Sequence, residues 1–477
     1  VLNNLRDVDL KDKKLIINIA GRELSDIKSK IIFFEDNYNF EEILLEVGFQ
    51  AYPTNLVDSG LLKIKEIKKN FDNRTVFADH IDGKDINTKI LPLIALQSGA
   101  DVIEKHIMHS SLHTEYDHFS SIDINVFKEL MTLMKDYDVL KEQPFINKNE
   151  QDYFNKTIQI PVLRKNFNKG EVIAFSDFNF KRTGLKGLNY HELSVLIGKG
   201  NVILESNKNK NDLLQISDFK KSKVACIVAA RLKSSRLKEK AKLKIGELSS
   251  LELCLKNCLK FEGVDETILA TSSLTQDAEL VNYKYSDEVI FHTGDPDDVI
   301  QRYLDIIRKN KIDVFIRVTG DMPFVSNDIT NYLLEKHFLS GADYSVANEF
   351  SVGTSVEIIN SSALEKVKSY FPNANYSEYM TWYFQNNPSY FNLNFVDLPK
   401  KFIRNYRLTI DYPEDLEMFN YIQKYLETNI VEQTIENIFD YLDKNKKIAN
   451  INAHLILKYK TDQVLIDLLN KHTKIKE

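Results

Sequence analysis

Two sets of side chains in the 477-residue sequence have types and spacing that suit chemistry. In the first set, His80 and His106 each close a short apolar run and lie beside the carboxylates of Asp79 and Glu104. Two neutral imidazoles near carboxylates suit a divalent transition metal, which polarises a carbonyl as a Lewis acid. A hydrogen-bonded core or surface histidine is the alternative at each position, and the pattern alone leaves both interpretations open.

The second set begins with a basic loop at residues 229–240, directly after the apolar run 224–228. The loop carries Arg231, Arg236 and Lys240 among serines. Hydroxyls, backbone N–H groups and cationic side chains at a strand-to-helix turn suit the phosphates of a nucleotide. A solvated charged surface is the alternative, but the position after a strand favours phosphate binding.

Two aspartates farther along the chain complete the second set. Asp321 follows the apolar run 314–318, and Asp411 lies at a turn just before Pro413. Mg²⁺ on a nucleotide takes one or two carboxylates together with phosphate oxygens, so this pair would suffice. Asp411 also suits the start of a helix with Pro413 in its first turn, and the two roles are compatible.

The elements that must position these residues are predicted from apolar runs that alternate with helical spacing. The runs lie at 15–19, 43–47, 75–78 and 101–103, and again at 224–228, 266–270, 288–291 and 314–318. Strand–helix alternation at about 30 residues per unit predicts parallel βα units, whose strand ends share one edge. The polar segment 141–155 is predicted to be a linker. Residues 157–219 are predicted to form a small β-rich module that packs on a neighbour. The last 50 or so residues are predicted to be helical, without identified chemistry.

Composition narrows the class of protein. The length corresponds to about three domains. Lys and Arg number 63 against 69 Asp and Glu, a net charge of −6, which argues against nucleic-acid or membrane partners recruited by charge. No apolar run approaches the ~20 residues that a membrane span requires. Three cysteines fit a reducing compartment, with Cys254 and Cys258 packed in a core, so we expect a cytoplasmic enzyme.

Four motifs around the first set resemble the sialic acid synthase family. They lie at residues 48–54, 78–80, 102–106 and 117–120. The family condenses phosphoenolpyruvate with an N-acyl hexosamine on a metal-bearing (β/α)8 barrel. The resemblance implies that Mn²⁺ or a similar metal is bound by His80 and His106. It also implies a catalytic Glu104 and substrate contacts from Gln50, Tyr52 and Asp117.

The resemblance covers only the last four βα units of such a barrel. A whole barrel needs about 250 residues, so we expect the first half to be missing from this sequence. Ala78 stands where the family usually has serine, and Gln50 where it has asparagine. The family carries an antifreeze-like (SAF) domain after the barrel, and motifs at 168–173, 180–184 and 196–199 resemble it. Arg182 matches the arginine that meets substrate in the partner subunit of a homodimer, with a solvated turn arginine as the alternative.

The region from residue 223 resembles the cytidylyltransferases that activate ulosonic sugars, in particular the SpsF-type branch. Seven ordered motifs carry this resemblance: 229–240, 270–272, 294–303, 317–323, 353–357, 377–381 and 411–416. It implies that Arg231, Arg236 and Lys240 grip the triphosphate of CTP in catalysis and that Asp321 and Asp411 hold Mg²⁺. Substrate contacts are implied for Thr271, Arg317 and Glu357. Lys238 and Glu239 replace the usual Pro-Gly of the loop, and Lys233 replaces a glycine.

The sequence therefore predicts an α/β protein with three parts: a partial (β/α)8 barrel at 1–140, a small, mostly β SAF domain at 157–219, and a doubly wound Rossmann-like nucleotidyltransferase domain with a helical tail at 223–477. We expect a sugar-acid enzyme in which a phosphoenolpyruvate-dependent nonulosonate synthase fragment is fused to a domain that activates the sugar acid with CMP. One alternative is a single active nucleotidyltransferase for another sugar or sugar phosphate, with the synthase part a relic or dimerisation module. Another is a non-catalytic sugar- or nucleotide-binding assembly protein.

Overall fold

In a computed structural model, which describes residues 8–109, 111–112, 116–234, 236–456 and 461–476, the chain forms two units. They are Val1–Gln151 and Asp152–Glu477. The small β-rich module and the larger α/β domain therefore belong to one unit.

The first unit is built on four parallel strands that follow one another in chain order. They are β1 (Lys14–Asn18), β2 (Glu42–Val47), β3 (Thr75–Asp79) and β4 (Val102–Lys105). The helices are α1 (Leu24–Asn37), α2 (Lys63–Asn70), α3 (Asn87–Gln97) and α4 (Ile124–Lys141), and the short strands β5 (Ile107–Met108) and β6 (Ile122–Asp123) pair in parallel. Helix α5 (Lys148–Thr157) begins in the first unit and ends in the second. The carboxyl ends of β1 to β4 lie at one edge, which brings the residues that follow them together.

The predicted linker at 141–155 contains the boundary between the two units, and α5 covers its second half. Asn147 accepts a hydrogen bond from the backbone N–H of Glu150 at 2.9 Å and so caps the start of α5. The sequence of α5 is polar and lacks an apolar stripe, so its hydrophobic periodicity does not indicate a helix. The start of α5 is marked by its capping residue instead of by buried side chains.

The β-rich module of the second unit consists of two antiparallel strand pairs and one helix. They are β7 (Ile160–Leu163) with β8 (Phe178–Lys181), β9 (Val202–Leu204) with β10 (Phe219–Lys221), and α6 (Tyr190–Lys199). Leu163, Phe178 and Leu193 are among its own buried residues. Val172 and Ile203 instead belong to the core of the larger domain, so the module packs on its neighbour as its small size predicts.

A seven-stranded sheet forms the larger domain of the second unit. Its strands, in spatial order, are β15 (Val289–Gly294), β14 (Glu266–Ser272), β11 (Val224–Ala229), β16 (Val314–Thr319), β18 (Glu357–Asn360), β17 (Tyr344–Ala347) and β19 (Leu393–Val396). Only β18 is antiparallel to its neighbours within this sheet. Because the chain leaves β11 toward β14 and later returns to β16, the sheet is doubly wound and Rossmann-like, with its switch point beside β11.

Helices cover this sheet, and a short hairpin lies beside it. The hairpin strands are β12 (Lys244–Ile245) and β13 (Leu248–Ser249); the helices are α7 (Ser250–Cys258), α8 (Val299–Asn310), α9 (Asn327–Ser340), α10 (Ser361–Tyr370), α11 (Met380–Gln385), α12 (Pro413–Thr428), α13 (Ile435–Lys444), α14 (Lys446–Ala449) and α15 (Gln463–Thr473). Cys254 and Cys258 are buried in the core, as predicted, and Cys226 is buried in the same core. Across the described part of the chain, no helix combines the length and the apolar composition that a bilayer crossing demands.

A buried histidine makes the stability of the second unit depend on pH. His337 in α9 lies with Nδ1 2.8 Å from the Ser345 hydroxyl and Nε2 3.0 Å from the Asn360 side-chain oxygen. Burial lowers the pKa of His337 to about 4. The unfolded chain, with an ordinary histidine pKa of about 6.5, binds more protons between these values, so the free energy of unfolding falls as the pH drops through this window.

We expect this histidine to contribute about 1.4 kcal/mol of destabilisation at pH 5.5 relative to pH 8. His337→Gln should therefore reduce the pH dependence of the urea midpoint between pH 8 and 5, even if the variant is less stable at every pH. Equal pH slopes for the two proteins would show that His337 does not carry this effect.

Candidate functional site

Lys240 joins the two predicted metal-binding aspartates at the carboxyl edge of the seven-stranded sheet. Its Nζ lies 2.6 Å from Oδ2 of Asp321 and 2.8 Å from Oδ1 of Asp411. The loop that carries Lys240 follows β11 and Asp321 follows β16, and the ends of these strands are adjacent because Ala229 pairs with Thr319. The fold thus brings together three residues that are far apart in the sequence.

Every carboxylate oxygen of these two aspartates has a donor. Oδ1 of Asp321 accepts the hydroxyl of Thr319 at 2.6 Å. Oδ1 of Asp411 also accepts from Nη2 of Arg236 at 2.8 Å, and its Oδ2 accepts from Nη2 of Arg407 at 2.9 Å. A compact group of cations and carboxylates results, in which one cationic atom already touches both aspartates.

Backbone hydrogen bonds hold the segment before α12 against the end of β16. The N–H of Ile410 donates to the carbonyl of Asp321 at 2.9 Å, and the Thr409 hydroxyl donates to the same oxygen at 3.1 Å. These contacts fix the separation of Asp321 and Asp411 without involving either carboxylate. The separation of the two aspartates therefore does not depend on the cationic side chains that contact their carboxylates.

The charges in this group stabilise one another. Burial alone would raise the pKa of Asp321, but the Lys240 ammonium outweighs burial and keeps that pKa below its ordinary value. Burial would lower the pKa of Lys240, yet Asp321 and Asp411 raise it above its ordinary value. At neutral pH Asp321 is consequently an ionised carboxylate and Lys240 an ammonium.

The loop keeps its left-handed turn although the sequence lacks glycine there. Glu239 has φ of +48°, a conformation that is costly for any residue with a side chain. Glu239 occupies the position where the SpsF-type cytidylyltransferases usually have glycine. Glycine adopts a positive φ without the steric cost of a side chain, which explains why that family prefers it there. Ser235, in the same loop, lies outside the described residues.

The other predicted nucleotide and sugar contacts surround this edge. Thr271 lies near the end of β14, fully buried, and its hydroxyl has no partner among the described residues. Arg317 on β16 pairs with Glu357 on β18 and donates through Nη2 to the carbonyl of Glu378 at 3.0 Å. Arg231 is exposed in the loop and makes no ion pair with the aspartates in the described ranges.

The strand ends of the first unit bring together His80, Glu104 and His106. One potential ligand atom from each lies within 4.8 Å of the others. The Tyr52 ring packs edge-on against both imidazoles, with centroids 4.8 Å from His80 and 5.7 Å from His106. Nδ1 of His106 lies 3.6 Å from Oδ2 of Asp117. Most of the predicted synthase residues therefore converge on one place.

Glu46 belongs to this cluster and was missed in the sequence analysis. Its Oε1 accepts from Nδ2 of Asn18 at 2.6 Å. Burial and the neighbouring Glu46 carboxyl raise the pKa of Glu104. A single glutamate inside the apolar run 43–47 was the available signal, since a buried carboxyl in a strand needs a partner or a role.

Two predicted site residues, Gln50 and Arg182, have exposed side chains. Gln50 makes no hydrogen bond to the cluster in the described part of the chain. Arg182 is exposed just after β8, in the other unit. Their predicted roles stay predictions.

Two family models match separate parts of the chain. Residues 225–465 match the family described as Cytidylyltransferase. Residues 2–143 match the NeuB family.

Three relatives illustrate the two matches. The chain is 31% identical over 234 residues to an uncharacterised protein of Methanocaldococcus jannaschii, covering 49% of this chain and 96% of that one. It is 28% identical to the spore coat polysaccharide biosynthesis protein SpsF of Bacillus subtilis, covering 40% of this chain and 82% of that protein. It is also 28% identical to the pseudaminic acid synthase of Helicobacter pylori, covering 41% of this chain and only 56% of the synthase.

The cytidylyltransferase match spans half of the chain and contains the loop, both aspartates and the switch-point strands of the sheet. The chain therefore belongs to the cytidylyltransferase family, and its N-terminal region matches the NeuB family over residues 2–143.

Proposed function

We propose that residues 223–477 transfer CMP from CTP to the hydroxyl of a sugar acid and release pyrophosphate. The observation that carries this proposal is the contact of Lys240 with both Asp321 and Asp411 beside the loop after β11. Cationic groups there would face the leaving phosphates, and two carboxylates would lie close enough for one divalent cation. The family match supplies the cytidine nucleotide as the expected donor.

Mg²⁺ fits the two aspartates, since one cationic atom already contacts both of them. Bound there with the nucleotide, Mg²⁺ would neutralise charge that develops on the phosphate oxygens. Arg231, Arg236 and Lys240 would bind the triphosphate and hold it for attack at the α-phosphate. Positioning and electrostatic stabilisation by these residues would supply most of the rate enhancement.

For the first unit and the β-rich module we propose the second half of a nonulosonate synthase with its SAF domain. The NeuB match at residues 2–143 and the convergence of His80, Glu104, His106 and Tyr52 support this assignment. The chain spans only 56% of the pseudaminic acid synthase it resembles, so condensation of phosphoenolpyruvate with an N-acyl hexosamine is proposed for a complete barrel. A homodimer, with Arg182 reaching a partner's site, belongs to the same proposal.

A divalent metal such as Mn²⁺ fits the histidine pair of the first unit. His80 is buried, and its Nδ1 has no hydrogen-bond partner among the described residues. Imidazole nitrogens are donors that Mn²⁺, Co²⁺ and Zn²⁺ accept. The metal would polarise a substrate carbonyl, while Glu104 and Tyr52 would contact the sugar.

Two observations favour the alternative that only the nucleotidyltransferase is active. Burial and the neighbouring Glu46 carboxyl raise the pKa of Glu104, the residue that the synthase assignment needs for the sugar. Ala78 also provides no hydroxyl for the phosphate of phosphoenolpyruvate. In this alternative the first unit is a relic or a dimerisation module.

The direct experiment is pyrophosphate release with CTP, UTP, ATP and GTP, each combined with pseudaminic acid, N-acetylneuraminic acid or a sugar phosphate. We expect release with CTP and a nonulosonic acid, and none with the other nucleotides. Release with a sugar phosphate alone would support the single-activity alternative. No release with any combination would contradict the transfer activity.

Lys240 should also limit binding of free metal, because each oxygen of the two aspartates is already occupied. Lys240→Met is therefore expected to increase the affinity for Mn²⁺ at least about tenfold when no nucleotide is present, since it removes a competing charge within 3 Å of both carboxylates. Electron paramagnetic resonance of free Mn²⁺ measures this affinity.

Lys242→Met is the matched control, because Lys242 pairs with Glu279 at 2.6 Å, away from the aspartates. The control should bind Mn²⁺ as the wild type does. Unchanged affinity in Lys240→Met would show that Lys240 does not compete with the metal.

A further inference from the structure

Asp411 is held by a buried ion pair that none of its predicted roles required. Nη2 of Arg407 donates to Oδ2 of Asp411 at 2.9 Å, and Nε of Arg407 donates to Oδ1 of Asp415 at 2.9 Å. Exposure of Arg407, Asp411 and Asp415 is 7%, 5% and 0%. With Oδ2 fixed in this way, only Oδ1 of Asp411 faces Lys240 and Asp321.

Asp415 ties this pair to the first turn of α12. Its Oδ2 accepts from the backbone N–H of Asp411 at 2.8 Å and from that of Tyr412 at 3.0 Å. The carboxylate therefore caps the helix and orients Arg407 at the same time. Any change in the position of Asp415 would be passed to Asp411 through both its backbone and its side chain.

The last member of the network comes from the C-terminal region, for which the sequence predicted no chemistry. Asn452 follows α14 and is 1% exposed. Its Nδ2 donates to Oδ1 of Asp415 at 2.8 Å and to the carbonyl of Arg407 at 3.0 Å. Helix α13 anchors this region, because Ile438 and Phe439 pack in the same core cluster as β11 and β16.

Stability alone does not account for this arrangement. Nη1 of Arg407 and Oδ1 of Asn452 are buried without a partner among the described residues. Unpaired buried polar atoms destabilise a fold, and well-packed apolar residues often replace a buried ion pair without loss. A need to orient the Asp411 carboxylate would account for the network.

We propose that Asn452, Arg407 and Asp415 are positioning residues that aim Oδ1 of Asp411 at the divalent cation of the bound nucleotide. This inference rests on the proposed function and makes the C-terminal helical region part of the transferase site. Loss of the Asn452 amide would let Asp415 and Arg407 shift together. The enzyme should then need a higher Mg²⁺ concentration for activity, while its recognition of CTP and of the acceptor should not change.

The test compares the full-length wild type with Asn452→Leu, which keeps the number and branching of the side-chain heavy atoms and removes both hydrogen bonds. Binding of Mn²⁺ in the presence of α,β-methylene-CTP is measured by electron paramagnetic resonance, and Mg²⁺ dependence is measured by pyrophosphate release. We expect about tenfold weaker Mn²⁺ binding, and a kcat that recovers at high Mg²⁺ with little change in the KM for CTP. The exposed Asn450→Leu, two residues away, is the control and should match the wild type.

Arg407→Lys provides a second variant, because lysine keeps the charge but cannot hold two carboxylates with a planar fork. It should give the same increase in metal requirement. Wild-type Mn²⁺ affinity in both variants would overturn the inference, as would a loss of kcat that high Mg²⁺ does not restore. Failure of the proposed function is distinguished by the wild type itself, which would then release no pyrophosphate with any acceptor.

Discussion

Asp321→Asn is expected to lower the rate of CMP transfer by about 1,000-fold, equivalent to about 4 kcal/mol of transition-state stabilisation. The substitution keeps the size of the side chain and removes the negative charge that faces Lys240 and the proposed cation. Pyrophosphate release with CTP and a nonulosonic acid measures the rate. The KM for the sugar acid should change little, since Asp321 is assigned to the metal rather than to the acceptor.

Asp328→Asn is the matched control for this prediction. Asp328 is exposed in the first turn of α9, seven residues beyond Asp321. Its substitution removes the same charge from the same region and should leave the rate within about twofold. A fully active Asp321→Asn protein would contradict the metal assignment.

The second large effect is expected in the first unit, where His106→Ala should weaken Mn²⁺ or Co²⁺ binding by more than about 100-fold. Loss of an outer-shell partner of a metal ligand already weakens binding 10- to 100-fold, so loss of a ligand should do more. His106 is only partly buried, which limits the damage to the fold. Equilibrium dialysis followed by metal analysis gives the affinity.

Since the second unit is proposed to bind metal as well, the measurement should use Asp321→Asn as its background. His191→Ala, at an exposed histidine in α6, is the control and should bind as the parent does. If His106→Ala retains the parental affinity, His80 and His106 do not form the metal site. The synthase assignment would then lose its chemical basis.

The parallel strands of both units were predictable from the sequence, because strands covered on both faces are nearly continuous apolar runs. Runs at 75–78 and 224–228, for example, became β3 and β11 with one residue added to each. The strands β17, β18 and β19 were missed. β18 begins at Glu357 and ends at Asn360, and polar residues at both ends of a four-residue strand remove the apolar signal.

The candidate sites were predictable in their parts but not in their contacts. Lys240 lies 81 residues from Asp321 and 171 from Asp411, and nothing in local periodicity reports that one ammonium touches both. The same holds for Asn452, whose partner Asp415 is 37 residues away. Glu46 is different, because its charge within an apolar run was visible in the sequence.

The central claim is that Asp321 and Asp411 share one divalent cation with a nucleotide held by the loop after β11. Diffraction from crystals grown with CTP and Mn²⁺, collected at the manganese edge, tests this claim most directly. We predict an anomalous peak between the two carboxylates and the Nζ of Lys240 moved onto a phosphate oxygen. A peak elsewhere, or triphosphate density away from Arg231, Arg236 and Lys240, would contradict it.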